Sequence, residues 1–173
     1  MRFMNAPVFV DTNVLVYARD ASAPSKQRRA RDWLAYLWQQ RLGRTSMQVL
    51  SEFYVTVTRK LRPGLSPDDA WDDVTALLTW QPQAIDEALM QRGREVEQQY
   101  RLSWWDSLVV SAAQLQGCEL ILTEDLQDGG VYGNVTARSP FTLGLSENIP
   151  SYAVSRAPLR RHPPRGRPKL AVR

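Results

Sequence analysis

Cysteine and histidine are almost missing from this 173-residue chain: it holds one of each, Cys118 and His162. A single cysteine excludes an intrachain disulfide and a zinc cluster of cysteines. It also suits a reducing cytoplasm, which is the expected location. The one histidine lies in a terminal Pro/Arg-rich segment, so no Ser-His-Asp set can be assembled around it. No G-x-x-x-x-G-K loop is present to cradle a nucleotide phosphate. No stretch approaches the ~18 apolar residues of a membrane span. Arg2 is followed by no long apolar region or cleavage signal, so no secretory peptide is expected. There are no internal repeats.

What is present reads as one soluble globular domain, with 43% hydrophobic and 23% charged residues. The net charge of +4 hides an asymmetry. Residues 151–173 carry seven Lys/Arg and no acid, which leaves 15 basic against 18 acidic residues in 1–150, a net of −3. From about Ser146 the chain offers almost nothing to bury, so 146–173 is read as a flexible basic tail. That tail is open to two readings: phosphate contact with a polyanion, or an extension without a role.

The order of elements follows from apolar period and punctuation. Val8-Phe9-Val10 reads as a buried strand ending in Asp11-Thr12-Asn13. Ala30, Trp33, Leu34, Leu37 and Trp38 mark an amphipathic helix from Lys26 to about Leu42, stopped by Gly43. Its Arg28, Arg29 and Arg31 form a solvated face. Thr45 or Ser46 caps a helix over Met47–Leu61, with Arg59 and Lys60 complementing the negative end of its dipole. Ser66-Pro67-Asp68-Asp69 starts another helix, whose Asp68, Asp69, Asp72 and Asp73 are accounted for by the dipole and solvent. Trp80–Gln83 is a connection or a short strand. A helix with Gly93 at its middle starts near Asp86. Ser103 caps the next helix, which Gly117 ends. Cys118–Thr123 is a second apolar strand, and Val131–Thr136 is a hairpin or a last edge strand. A helix followed by a short buried strand is the alternation of a parallel α/β sheet.

Four acids stand out. Asp11 and Asp125 each follow a buried strand in company with a hydroxyl residue, Thr12 and Thr123. In an open parallel sheet that strand end is where ligands bind. Glu52 lies at the edge of a buried helical stripe, a costly place for a charge unless it is paired or holds a metal. Asp106 falls on the first turn of an apolar helix. The acids are 41, 54 and 19 positions apart. Asp11 is also a good helix N-cap, and Asp106 is also the acid of a capping box after Ser103. The repeated construction at Asp11 and Asp125 favours the ligand reading. Converging carboxylates raise one another's pKa unless a cation holds them. Hard oxygen donors select Mg2+ or Mn2+. The coherent chemistry is metal-assisted hydrolysis of a phosphodiester.

Asp11-Thr12-Asn13 after a strand, Glu52 on a helix, Ser103-Trp104-Trp105-Asp106 running into Ser107–Ala113, and Thr123-Glu124-Asp125-Leu126-Gln127-Asp128-Gly129 together resemble the PIN-domain ribonucleases. The nearest group is the VapC toxins of bacterial toxin–antitoxin pairs. The resemblance covers roughly residues 7–141, and it defines a PIN-like nuclease domain over 1–145. It implies a three-layer α/β sandwich with a central parallel sheet flanked by helices. It implies endonucleolytic RNA cleavage with Mg2+ (or Mn2+), a homodimer and a VapB-type antitoxin partner. It carries Asp11, Glu52, Asp106 and Asp125 over as catalytic and metal-binding residues, with Thr12, Asn13 and Thr123 in support. Asp128 either joins through a water or simply forms the turn before Gly129. Ser139-Pro140-Phe141 departs from the Asn-Pro-Phe common in relatives.

Two other classes compete. A non-catalytic PIN-fold interaction module would bind RNA or a protein, but has no reason to retain an unfavourable acidic cluster. A receiver-type phosphoacceptor domain needs paired acids after the first strand and a late lysine. Residues 102–150 contain no lysine.

Overall fold

A computed structural model describes residues 6–145; the segment read as a basic tail, 146–173, lies outside the described residues. Five short strands form one sheet: β1 (Val8–Val10), β2 (Gly43–Arg44), β3 (Leu120–Leu122), β4 (Val131–Tyr132) and β5 (Val135–Arg138). Their order is β2-β1-β3-β5-β4. All pairs are parallel except the β4–β5 hairpin at the edge. The helices α1 (Thr12–Tyr17), α2 (Pro24–Gln40), α3 (Met47–Val55), α4 (Pro67–Leu78), α5 (Glu87–Tyr100) and α6 (Trp104–Leu115) flank the sheet. The expected α/β architecture is therefore present. No described helix is long and apolar enough to cross a membrane.

β1 and β3 are central because they are apolar on both faces. Phe9, Val10, Ile121 and Leu122 have no exposed surface, and each such side chain contributes about 1.5–3 kcal/mol by leaving water. Their register sets the site. Val8 lies beside Leu120 and Val10 beside Leu122, so the two strands end level. The residues that follow, Asp11 and Thr123, emerge at the same edge. Their amides continue the ladder, to Leu122 O (3.1 Å) and Arg138 O (3.0 Å).

Two helix ends differ from the sequence expectation. α2 stops at Arg41, which takes the left-handed conformation (φ 58°), not at Gly43. Gly43 belongs to β2, and it is glycine because the Trp80 ring lies against it: a Cβ there would sit 2.4 Å from Trp80 Cζ2. The Met47 helix is α-helical only to Val55. It then widens into a π-turn over Thr56–Lys60, with Leu61 N–H donating to Thr56 O at 2.9 Å. The caps at Ser46, Ser66, Asp86 and Ser103 form as expected. Thr45 instead donates its hydroxyl to Val10 O (3.1 Å), tying β2 to β1. Asp73, read as a solvated dipole acid, pairs from α4 with Arg19 in the turn after α1. Gln83 forms a parallel bridge with Ser46, which settles Trp80–Gln83 as a connection touching the sheet region.

Candidate active site

Asp11 leaves β1 in an extended conformation and caps α1: Thr12 N–H donates to Oδ1 at 2.7 Å. The capping role and the buried-acid role fall on the same residue, which is fully buried. Its Oδ2 accepts the Thr123 hydroxyl at 2.7 Å and faces Asn13 Nδ2 at 3.4 Å. Asn13 Nδ2 also lies 3.1 Å from Thr123 Oγ1 and 3.2 Å from Asp125 Oδ2. Thr123 Oγ1 accepts the Asp125 amide at 3.0 Å, and Asn13 Oδ1 accepts the Glu124 amide at 3.3 Å. The turn after β3 is thus stitched to the start of α1, and Asp11 and Asp125 share two polar neighbours.

Glu52 joins from α3. Its Oε2 accepts the Thr12 hydroxyl at 3.2 Å, and its Oε1 accepts Gln48 Nε2 at 2.9 Å. Thr12 therefore connects Asp11, through its amide, to Glu52, through its hydroxyl. Asp106 sits on the first turn of α6, 4% exposed, with its amide bonded to Ser103 Oγ at 3.1 Å. Burial, and secondarily the Asp106 charge, push the Tyr132 phenol above its ordinary pKa. Asp128 accepts Arg138 Nε (3.0 Å) and the Ser139 amide (2.9 Å). That gives it a structural task at the end of β5.

Thr12, Asn13, Glu52 and Asp125 line one open cavity of about 700 Å³. The other lining residues include Gln48, Lys60 and Trp105, to which sequence alone assigned no part in the site. Gln48 was detectable in principle, since it stands one helical turn before Glu52 and so on the same face. At the rim, Lys26 Nζ bonds Glu124 Oε1 (2.6 Å) and Tyr17 OH (3.2 Å) and lies over the Tyr17 and Phe141 rings. The Glu124 hydrogen bond is the main reason that the Lys26 ammonium is held above its ordinary pKa.

The donor set is entirely oxygen, with carboxylates backed by hydroxyl and amide groups. Among the described residues no three His, Cys, Asp or Glu side chains are grouped tightly enough to hold an ion by themselves. Cys118 belongs to a different chemistry: it is buried, and burial pushes its thiol up to about 12.

An acid directly after β1, one in the turn after β3, one on the third helix and one on the sixth can be compared with known proteins. Residues 8–127 match the family described as PIN domain. The chain belongs to the PIN domain family. PIN domains are generally nucleases, typically dependent on a divalent metal. This PIN domain also shares its fold with one chain of a toxin–antitoxin complex from Klebsiella pneumoniae. The two are 20% identical with a TM-score of 0.55, over 78% of this chain and 98% of that one. No curated protein matches the chain.

Proposed function

We propose that this PIN domain is an endoribonuclease that hydrolyses RNA phosphodiesters with Mg2+ or Mn2+. In this reading it is a cytoplasmic VapC-type toxin, a homodimer held in check by a VapB-type antitoxin. The observation that carries the catalytic part is the network in which Asp11, Asn13, Thr123 and Asp125 share hydrogen bonds while Thr12 joins Asp11 to Glu52. The fold shared with a chain of a toxin–antitoxin complex supports the biological part.

The residues fit a hard divalent ion. Mg2+ takes one or two carboxylates directly and keeps several waters, so it does not require three acids already closed into a cage. Asp11, Glu52, Asp106 and Asp125 would hold it, directly or through water. Bound there, the ion supplies a lowered pKa for water and charge compensation for a phosphate. The chain's own part is positional. Thr12 and Gln48 fix both oxygens of Glu52. Thr123 and the Thr12 amide fix both oxygens of Asp11. Held this way, the carboxylates need little rearrangement when substrate arrives.

Purified protein is expected to cleave RNA with Mg2+ or Mn2+ and to stop in EDTA or as Asp11→Asn. Full activity in Asp11→Asn would sink the assigned mechanism. Expression is expected to arrest growth, and Asp106→Asn to relieve the arrest. Arrest that persists in Asp106→Asn would instead favour a binding module.

A further inference from the structure

Adjacent tryptophans at the start of α6 do different things. Trp104 packs inward, its ring over Gly93 of α5. Trp105 is 40% exposed and lines the cavity that holds Glu52 and Asp125. Ile85, 58% exposed, lines it too. An exposed indole beside carboxylates leaves a flat apolar face in water.

Lys60 is the lysine of the same lining. A strictly α-helical continuation, at about 100° per residue, would turn position 60 about 80° away from the line of Glu52. The π-turn over Thr56–Lys60 inserts a residue, and Lys60 returns to the face that carries Gln48, Glu52 and Thr56. π-turns of this kind are frequent at functional sites. The helix widens at the point where it swings a cation toward the acids.

Resting on the nuclease reading above, we infer that Trp105 and Lys60 form a nucleotide subsite, the indole stacking one unpaired base and the ammonium meeting a phosphate of the same strand. The stacked base has to be unpaired, because a base inside a duplex has no free face to offer Trp105. The apolar lining alone would also suit a hydrophobic peptide. Such an occupant would desolvate Glu52 and Asp125 while offering them nothing. A nucleotide leaves its polar edges in water and supplies the anion that Lys60 can bind.

The test measures binding of the full chain in EDTA to three labelled probes: a short single-stranded oligoribonucleotide, an abasic strand of equal length, and a duplex. Trp105→Ala is expected to weaken single-strand binding by roughly 5- to 150-fold, the range of one base–aromatic stack. It should leave abasic binding unchanged. Trp105→Phe should recover most of the loss, and Trp105→Leu, which keeps apolar bulk without a π face, should not. Lys60→Ala should weaken both single strands and lower the slope of log affinity against log salt by about 0.7. Thermal unfolding of each variant confirms that it folds. If Trp105→Ala cleaves and binds RNA like the parent, the subsite is overturned while the nuclease reading stands. Equal affinity for the duplex, or a Trp105→Ala defect confined to a protein partner, also overturns it. A full chain that neither binds nor cleaves RNA removes both readings together.

Discussion

Asp11 and Asp125 carry the same charge and differ in what surrounds them, and the difference predicts opposite responses to the same substitution. Asp11 is fully buried and receives the Thr12 amide, the Thr123 hydroxyl and the Asn13 amide. All three are donors, so Asp11→Asn sets an NH2 against at least one of them. A buried donor left without an acceptor costs about 1–3 kcal/mol, and chemical denaturation should show a loss of that size. Asp125 is exposed, and its Oδ2 receives the Asn13 amide where solvent can replace a lost contact. Asp125→Asn should unfold at an unchanged or higher denaturant concentration while losing activity. Equal destabilisation of the two variants would mean that the hydrogen bonds at Asp11 are not what holds it. Cys118 makes a simpler case. With its thiol pushed to about 12 by burial, it offers almost no thiolate near neutrality. Thiol reagents should label it only on unfolding, at a rate that tracks denaturant rather than reagent. Rapid labelling of the native chain would contradict its buried position.

Among the elements, what could be read locally was read, and what depended on a distant neighbour was not. A buried strand stopping at a carboxylate needs only contiguous residues, so Val10-Asp11 and Leu122-Thr123 were legible, as were the serine caps. That Glu52 lies on the edge of its stripe was legible from helical period. Of its partners, Gln48 was within reach one helical turn earlier on the same face, whereas Thr12 was not, because it comes from a different element 40 positions away. The π-turn was illegible for a related reason: nothing in Thr56–Lys60 breaks an α-helical pattern. Asp73 reads as one of four equivalent dipole acids until the fold brings α4 to the turn after α1 and gives it Arg19. Gly43 was the clearest misreading. A glycine after an amphipathic helix suggests a stop, whereas this one makes room for Trp80, whose ring lies 5.0 Å from that of Trp38 of α2 at a 52° tilt. Because β2 and Trp80 are both held from several sides, Gly43→Ala should overpack the contact and cost about 1–3 kcal/mol. If the thermal midpoint of Gly43→Ala matches the parent, the close approach does not restrict that position.

For the whole molecule, the acids set stability against function. Folding links the carboxylates of Asp11, Glu52 and Asp125 through Thr12, Asn13 and Thr123 at one edge of the sheet, and the unfolded chain does not. Like charges gathered this way disfavour the native state unless a cation is bound. A cation that binds the native form and not the unfolded chain stabilises it by RT ln(1 + [L]/Kd), about 2.7 kcal/mol at a hundredfold excess over Kd. Mg2+ should therefore raise the melting temperature of the parent protein, and EDTA should reverse the rise. Removing one charge by Glu52→Gln should raise the melting temperature in EDTA and shrink the Mg2+-induced gain. Gln at that position can still accept from Thr12, and Gln48 can turn its amide so that Oε1 accepts from the new NH2, so a changed response would reflect charge rather than a broken contact. A monovalent salt at matched ionic strength separates this from general screening, which acts on exposed charges everywhere. If Na+ reproduces the Mg2+ shift, the acids are not acting as a specific cation site. A shift that needs Mg2+ and depends on Glu52 places the ion at the strand ends without reference to any substrate.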